Sequence, residues 1–172
     1  MYSIENVNRN MSRKILMVSL GNISCSPIAE AIMAGIIEEA GLTYRWYVES
    51  AALADWHCDY RPDERALTVL ENHGITCLSR ARQITRKDFD EFDYIFGMDK
   101  ETVNDLKRLA PANCKAQIQL LGDYGLLRNE SSIANPYIDI GSGGFELLCQ
   151  KCEIACEAFL KEYIEFIREI DY

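Results

Sequence analysis

Hydrophobic and polar positions follow two different periods along the chain. Short apolar runs predict four β-strands, at residues 14–19, 45–51, 93–97 and 115–119. Longer stretches with an apolar residue every three or four positions predict four helices, at residues 27–40, 62–72, 99–109 and 143–168. This alternation is typical of an α/β fold, in which helices cover both faces of a parallel sheet and ligands bind at the carboxyl ends of the strands.

The chain is predicted to form one domain, residues 13–172, behind a flexible tail at residues 1–12. Its 172 residues, 48% of them hydrophobic, suffice for a single core. The tail is polar and lacks the apolar centre of a signal peptide. The glycine-rich stretch at residues 141–144 directly precedes the last predicted helix, so we interpret it as a turn.

Charge and cysteine content narrow the function classes. A net charge of −9 and a pI near 4.8 argue against nucleic acid and anionic membranes as partners. Seven cysteines without secretory features favour a reducing compartment, so the cytoplasm is predicted. Cys149, Cys152 and Cys156 share one face of the last predicted helix; we expect core packing there and no metal or other cofactor.

Residues 18–27 read Val-Ser-Leu-Gly-Asn-Ile-Ser-Cys-Ser-Pro and lead from the first predicted strand into the first predicted helix. Gly21 supplies backbone freedom and Asn22 tolerates a positive φ. Ser26 is predicted to cap the helix, with Pro27 at its first position. Backbone amides at a helix N-terminus attract anions, so this loop is a candidate phosphate site.

The chain resembles the low molecular weight protein tyrosine phosphatases over about residues 13–165. Residues 19–26 match the family's C-x5-R-S signature except at Ser19, where the family carries Cys, and at Cys25, where it carries Arg. Further matches keep the family's order: Val-Glu-Ser-Ala-Ala at 48–52, Asp-Trp at 55–56, Pro-Asp-x-Arg at 62–65, Asn-His-Gly-Ile at 72–75, Ala-Arg-Gln-Ile-Thr at 81–85, Phe-Asp-Tyr-Ile at 92–95, Met-Asp at 98–99 and Leu-Leu-Gly at 120–122. The resemblance implies a flavodoxin-like three-layer sandwich with a four-stranded parallel sheet.

The resemblance also assigns three catalytic positions. The family's nucleophilic Cys corresponds to Ser19, its phosphate-clamping Arg to Cys25, and its general-acid Asp to Asn135. A serine hydroxyl stays protonated near neutral pH, a thiol cannot clamp two phosphate oxygens, and an amide has no acidic proton to give, so all three roles are missing. The sequence therefore predicts a catalytically inactive relative, a pseudophosphatase.

Other matched positions imply that an anion-binding groove remains. Trp56 and Tyr137 correspond to the aromatic walls of the family's site, and Ser50 and His73 to side chains that support the loop. Asp99 is predicted to cap a helix in preference to pairing with Arg65. The predicted ligand-binding residues are Leu20, Gly21, Asn22, Ile23, Ser24, Ser26, Trp56 and Tyr137.

Three hypotheses follow. The first is an inactive protein that uses the groove at the family's active-site position. It would bind phosphate or sulfate weakly there, and a phosphotyrosine-containing protein as its partner. The second is a scaffold without anion binding. The third is a residual phosphatase, or a redox-sensing thiol protein that uses Cys25, whose pKa is expected to fall near a helix N-terminus.

Overall fold

A computed structural model describes residues 12–133 and 143–170, with side chains up to residue 166. Within these ranges the chain alternates strands and helices, as the hydrophobic pattern predicts. The strands are β1 (Arg13–Ser19), β2 (Trp46–Ala52), β3 (Tyr94–Gly97) and β4 (Gln117–Leu120). The helices are α1 (Cys25–Glu39), α2 (Glu64–Asn72), α3 (Asp88–Glu91), α4 (Lys100–Leu109) and α5 (Gly143–Ile170), with a 3₁₀ turn at Leu121–Asp123.

The described strands form one parallel sheet in the order β2-β1-β3-β4. Ile15 of β1 pairs with Val48 on one side and Tyr94 on the other. Because β1 is central, its residues 15–18 are fully buried, as expected of a strand covered on both faces. The carboxyl ends of β1 and β3 therefore meet at the middle of one sheet edge.

Alternate side chains of β1 enter two separate core layers. Ile15 and Met17 pack in a layer with residues of α1, α2 and α5. Leu16 and Val18 pack on the opposite face with residues of α3 and α4. Helices thus lie on both faces of the sheet, and the predicted flavodoxin-like three-layer architecture is confirmed.

The last helix confirms the core role of its cysteines. Cys149, Cys152 and Cys156 are fully buried against α1 and the sheet. Among the residues that the structure describes, no group of three histidine, cysteine or acidic side chains could hold a metal ion. Nor, within the same residues, is any helix both long enough and apolar enough to cross a bilayer.

Candidate active site

The loop at residues 19–25 connects β1 to α1 and borders a cavity of about 270 Å³ at the carboxyl ends of β1 and β3. The sequence-predicted loop residues are thus brought together with residues from three other segments. The cavity is lined by Ser19, Leu20, Gly21, Asn22, Ile23, Ser24, Cys25, Trp56, His57, Met98, Asp99 and Ile133.

A network of buried hydrogen bonds holds this loop. Ser19 Oγ lies 2.6 Å from Ser26 Oγ and accepts the Asn22 backbone N–H at 3.2 Å. The Asn22 side-chain amide donates to Ser26 Oγ at 2.9 Å and to Ser50 Oγ at 2.8 Å. The Ser50 hydroxyl in turn donates to the carboxylate of Glu30 on α1. The network therefore ties the loop to β2 and to the first helix.

Asn22 fixes the backbone turn of the loop. Its φ of 56° lies in the left-handed region, which asparagine adopts more readily than most residues. Its Oδ1 accepts the Arg82 backbone N–H at 3.1 Å. The expected tolerance of a positive φ at this position is confirmed.

The start of α1 differs from the prediction. The helix begins at Cys25 with Ser24 as its N-cap, and the Ser24 side chain makes no capping hydrogen bond. Ser26, predicted to be the cap, lies one residue inside the helix. The Ser26 hydroxyl forms hydrogen bonds with Ser19 and Asn22 instead of with the helix amides.

Of the two predicted support residues, the structure brings Ser50 to the loop and places His73 elsewhere. His73 lies at the end of α2, with Nε2 2.7 Å from Glu146 Oε1 and Nδ1 3.3 Å from Glu153 Oε1. It therefore links α2 to α5.

Glu30 is a support residue that the sequence reasoning missed. Burial raises its pKa, although the hydrogen bond from Ser50 opposes that rise. A carboxylate within the otherwise apolar stretch at residues 28–33 was the available signal.

The Cys25 side chain is buried in the core layer that also contains Cys152. Burial raises the pKa of the Cys25 thiol to about 12, and the negative charge of Asp99 adds to the rise. The expected fall in this pKa is wrong, because loss of hydration outweighs the favourable field at the helix N-terminus. A thiol in this state is a poor nucleophile and a poor redox sensor.

The cavity mouth carries one of the two predicted aromatic walls. Trp56 is 66% exposed and lines the cavity beside His57. Asp99 begins α4, where its carboxylate accepts the Thr102 N–H at 2.7 Å, so the predicted cap is confirmed. Asn135 and Tyr137 lie outside the described residues.

A family model described as low molecular weight phosphotyrosine protein phosphatase matches residues 14–167. The chain belongs to this family. It is 46% identical over 155 residues to low molecular weight phosphotyrosine protein phosphatase 1 of Drosophila melanogaster, covering 90% of this chain and 99% of the relative. It is 40% identical over 154 residues to the phosphatase of Sus scrofa, covering 88% and 96%.

Solved structures give the same result. The crystal structure of Primo-1 superposes with a TM-score of 0.86 at 47% identity, covering 88% of this chain and 99% of that one. The crystal structure of DARP, a Drosophila arginine phosphatase, superposes with a TM-score of 0.84 at 37% identity, covering 87% and 97%. Both match the flavodoxin-like sheet described above.

These comparisons correct the prediction of an inactive pseudophosphatase. Relatives 40–46% identical over nearly their whole length are named as phosphotyrosine phosphatases, and the comparisons give no sign of lost catalysis. The prediction rested on the loss of three reactive side chains at Ser19, Cys25 and Asn135. The alternative of a residual phosphatase agrees better with these relatives.

Proposed function

We propose that the protein is a slow phosphatase that hydrolyses aryl phosphate monoesters, such as the phosphotyrosine side chain, at the loop of residues 19–25. The observation that carries this proposal is the position of Ser19. Its hydroxyl lies in the wall of the cavity, at the end of β1. The hydroxyl oxygen accepts a hydrogen bond from the Asn22 backbone N–H within a buried network.

The phosphoryl group binds at the N-terminal end of α1. This helix has 15 residues, so its backbone amides and dipole attract an anion at the loop. The exposed indole of Trp56 lies at the cavity mouth, where an aromatic leaving group can contact it.

Ser19 is the proposed nucleophile. Ser26 Oγ accepts a hydrogen bond from the Asn22 side-chain amide. The Ser26 hydroxyl hydrogen is therefore available to donate to Ser19 Oγ, 2.6 Å away. Two donors on the Ser19 oxygen stabilise the alkoxide that forms as the hydroxyl loses its proton, and so favour the attack. The Ser19–phosphorus bond forms, the phosphorus–aryloxide bond breaks, and the serine proton reaches the aryloxide through solvent. Water then cleaves the phosphoserine and releases inorganic phosphate.

Turnover by this route is slow for two reasons. A serine hydroxyl is a weak nucleophile without an adjacent base, and Cys25 brings no positive charge to the phosphoryl oxygens. We therefore expect kcat below the usual enzyme range of about 1 to 10³ s⁻¹.

We also propose a phosphotyrosine-containing protein as the natural substrate and the cytoplasm as its compartment. The names of the relatives support the first part. The second rests on seven cysteines that are all free thiols, a state that a reducing compartment preserves.

The test is release of p-nitrophenol from p-nitrophenyl phosphate by purified protein. We expect a slow rate proportional to protein concentration, and Ser19→Ala should lower it at least about tenfold. Thr68→Ala is the matched control, because it deletes another hydroxyl, one that donates to the Glu64 carbonyl within α2 and does not line the cavity. A rate that Ser19→Ala leaves unchanged, or no rate above the blank, would overturn the proposal.

A further inference from the structure

The cavity offers an entering anion very little positive charge. Among the described residues that line it, none is a lysine or an arginine, and Asp99 adds a carboxylate. His57 is the lining side chain in this set that can become a cation. The protein as a whole carries a net charge of −9, which further disfavours a dianion.

The His57 ring lies directly against the loop at residues 19–25, the anion loop. A Cβ atom added to Gly21 would stand 3.1 Å from His57 Cδ2 and 3.7 Å from His57 Nε2. The ring edge that carries Nε2 therefore faces the turn whose backbone amides begin the site. A glycine at position 21 leaves room for this approach.

The other ring nitrogen of His57 is not anchored. Nδ1 is buried and has no hydrogen-bond partner within the described chain. No carboxylate or carbonyl in that part of the protein fixes the ring's proton, in contrast to His73, which contacts Glu146 and Glu153. Because Nδ1 is buried, Nε2 is the ring nitrogen that an anion in the cavity can reach.

We propose that His57 binds the phosphoryl group as an imidazolium through Nε2 and is the cationic contact of this site. The inference deepens the proposed function, because the ligand is the phosphate of the same substrate. A hydrogen bond between ionised partners is roughly twice as strong as a neutral one, so protonation of the ring should tighten anion binding.

The pH dependence has a definite sign. The neutral ring has no charge to attract the anion, so anion affinity should fall as pH rises from about 5.5 to about 8. Among the described residues, the titratable groups near the ring include Tyr60, whose ring centroid is 5.7 Å away, and Asp99 and Cys25, which line the same cavity. Cys25 remains a thiol there because its pKa is about 12. Asp55, Cys58 and Asp59 flank His57 on its own loop.

Sulfate is the probe, because it stays divalent across this range whereas phosphate does not. Amide chemical shifts of residues 20–25 are followed during sulfate titrations at about pH 5.5 and about pH 8. We expect the affinity of the wild-type protein to fall about tenfold at the higher pH. His57→Gln should bind as weakly at both pH values as the wild type does at the higher one, and His57→Lys should bind tightly at both.

His73→Gln is the matched control. It removes the second of the two histidines, which bonds to α5 and does not line the cavity, so the tenfold fall should persist. If circular dichroism shows that His57→Gln is unfolded, His57→Lys tests the proposal. A permanent cation at this position should make sulfate binding independent of pH.

Three results would overturn the inference: wild-type affinity that does not change with pH, the same fall in the folded His57→Gln variant, or no sulfate binding by tens of millimolar. The two proposals fail separately. Turnover lost in Ser19→Ala with pH-independent sulfate binding would overturn the role of His57 alone. A tenfold pH effect that requires His57, without turnover, would support His57 and overturn the phosphatase.

Discussion

At the scale of single residues, Asn22 carries much of the loop's shape. It combines a φ of 56° with side-chain hydrogen bonds to Ser26, Ser50 and the Arg82 amide. Asn22→Ala should lower the free energy of unfolding by about 3 kcal/mol, through the lost hydrogen bonds and the left-handed backbone. Urea denaturation measures this change.

Asn22→Gly separates the two contributions. Glycine adopts the positive φ without strain but also lacks the amide, so it should be about 1 kcal/mol more stable than the alanine variant. If both variants unfold within about 0.5 kcal/mol of the wild type, Asn22 does not hold the loop.

Local residue roles were more predictable than those set by distant partners. The positive φ of Asn22 and the cap at Asp99 depend on backbone within three residues, and both were anticipated. The contact of His57 with Gly21 joins segments 36 positions apart, and no local pattern signals it. The raised pKa of Cys25 likewise depends on core packing that a helix-terminus argument omits.

At the scale of elements, the spacing of hydrophobic residues predicted the long helices and the strands but not all of their first and last residues. β1 was predictable because a fully buried strand leaves an apolar run. β4 lies at Gln117–Leu120 instead of 115–119, because its extent is set by pairing with β3. α3 has four residues, too few to show a helical period, and it was missed.

The turn after β4 supplies an element-scale prediction. A Cβ on Gly122 would lie 1.7 Å from the carbonyl oxygen of Ser131, and that atom belongs to backbone. Gly122→Ala should therefore lower the free energy of unfolding by about 3 kcal/mol or more. The displaced segment includes Ile133, which lines the cavity, so sulfate affinity should fall as well. Urea denaturation and sulfate titration measure the two effects.

Gly35→Ala is the control for that substitution. Gly35 lies in α1, and an added Cβ would meet nothing within 4 Å. Alanine is the better helix former, so this variant should be about 0.5–1 kcal/mol more stable than the wild type. Equal stability of Gly122→Ala and the wild type would contradict the close approach of the turn to Ser131.

At the scale of the whole molecule, one arginine joins the sheet, a helix and the anion loop. The Arg82 guanidinium lies 2.9 Å from Glu49 on β2 and 2.9 Å from Asp88 on α3. Its backbone N–H is accepted by Asn22. This connection between distant segments was not evident from sequence, where the residues are up to 60 positions apart.

The pKa of Asp88 links this network to the pH dependence of folding. Burial alone would raise that pKa, but hydrogen bonds from Arg82 and the Thr85 amide outweigh it and lower the pKa below 3.8. A carboxyl whose folded-state pKa is lowered stabilises the protein above its unfolded-state pKa. That stabilisation is lost as pH falls through the lower, folded-state value.

Asp88→Asn should therefore destabilise the protein in a pH-dependent way. Near pH 7 we expect the free energy of unfolding to fall by about 2 kcal/mol, because an amide cannot form the ion pair with Arg82. The difference from the wild type should narrow only below about pH 4, where the wild-type carboxyl takes up its proton. Urea denaturation from pH 7 to pH 3 measures it, with Asp90→Asn, an exposed substitution on the same helix, as the control. A constant difference at every pH would show that Asp88 acts through packing and its amide contacts instead of through its charge.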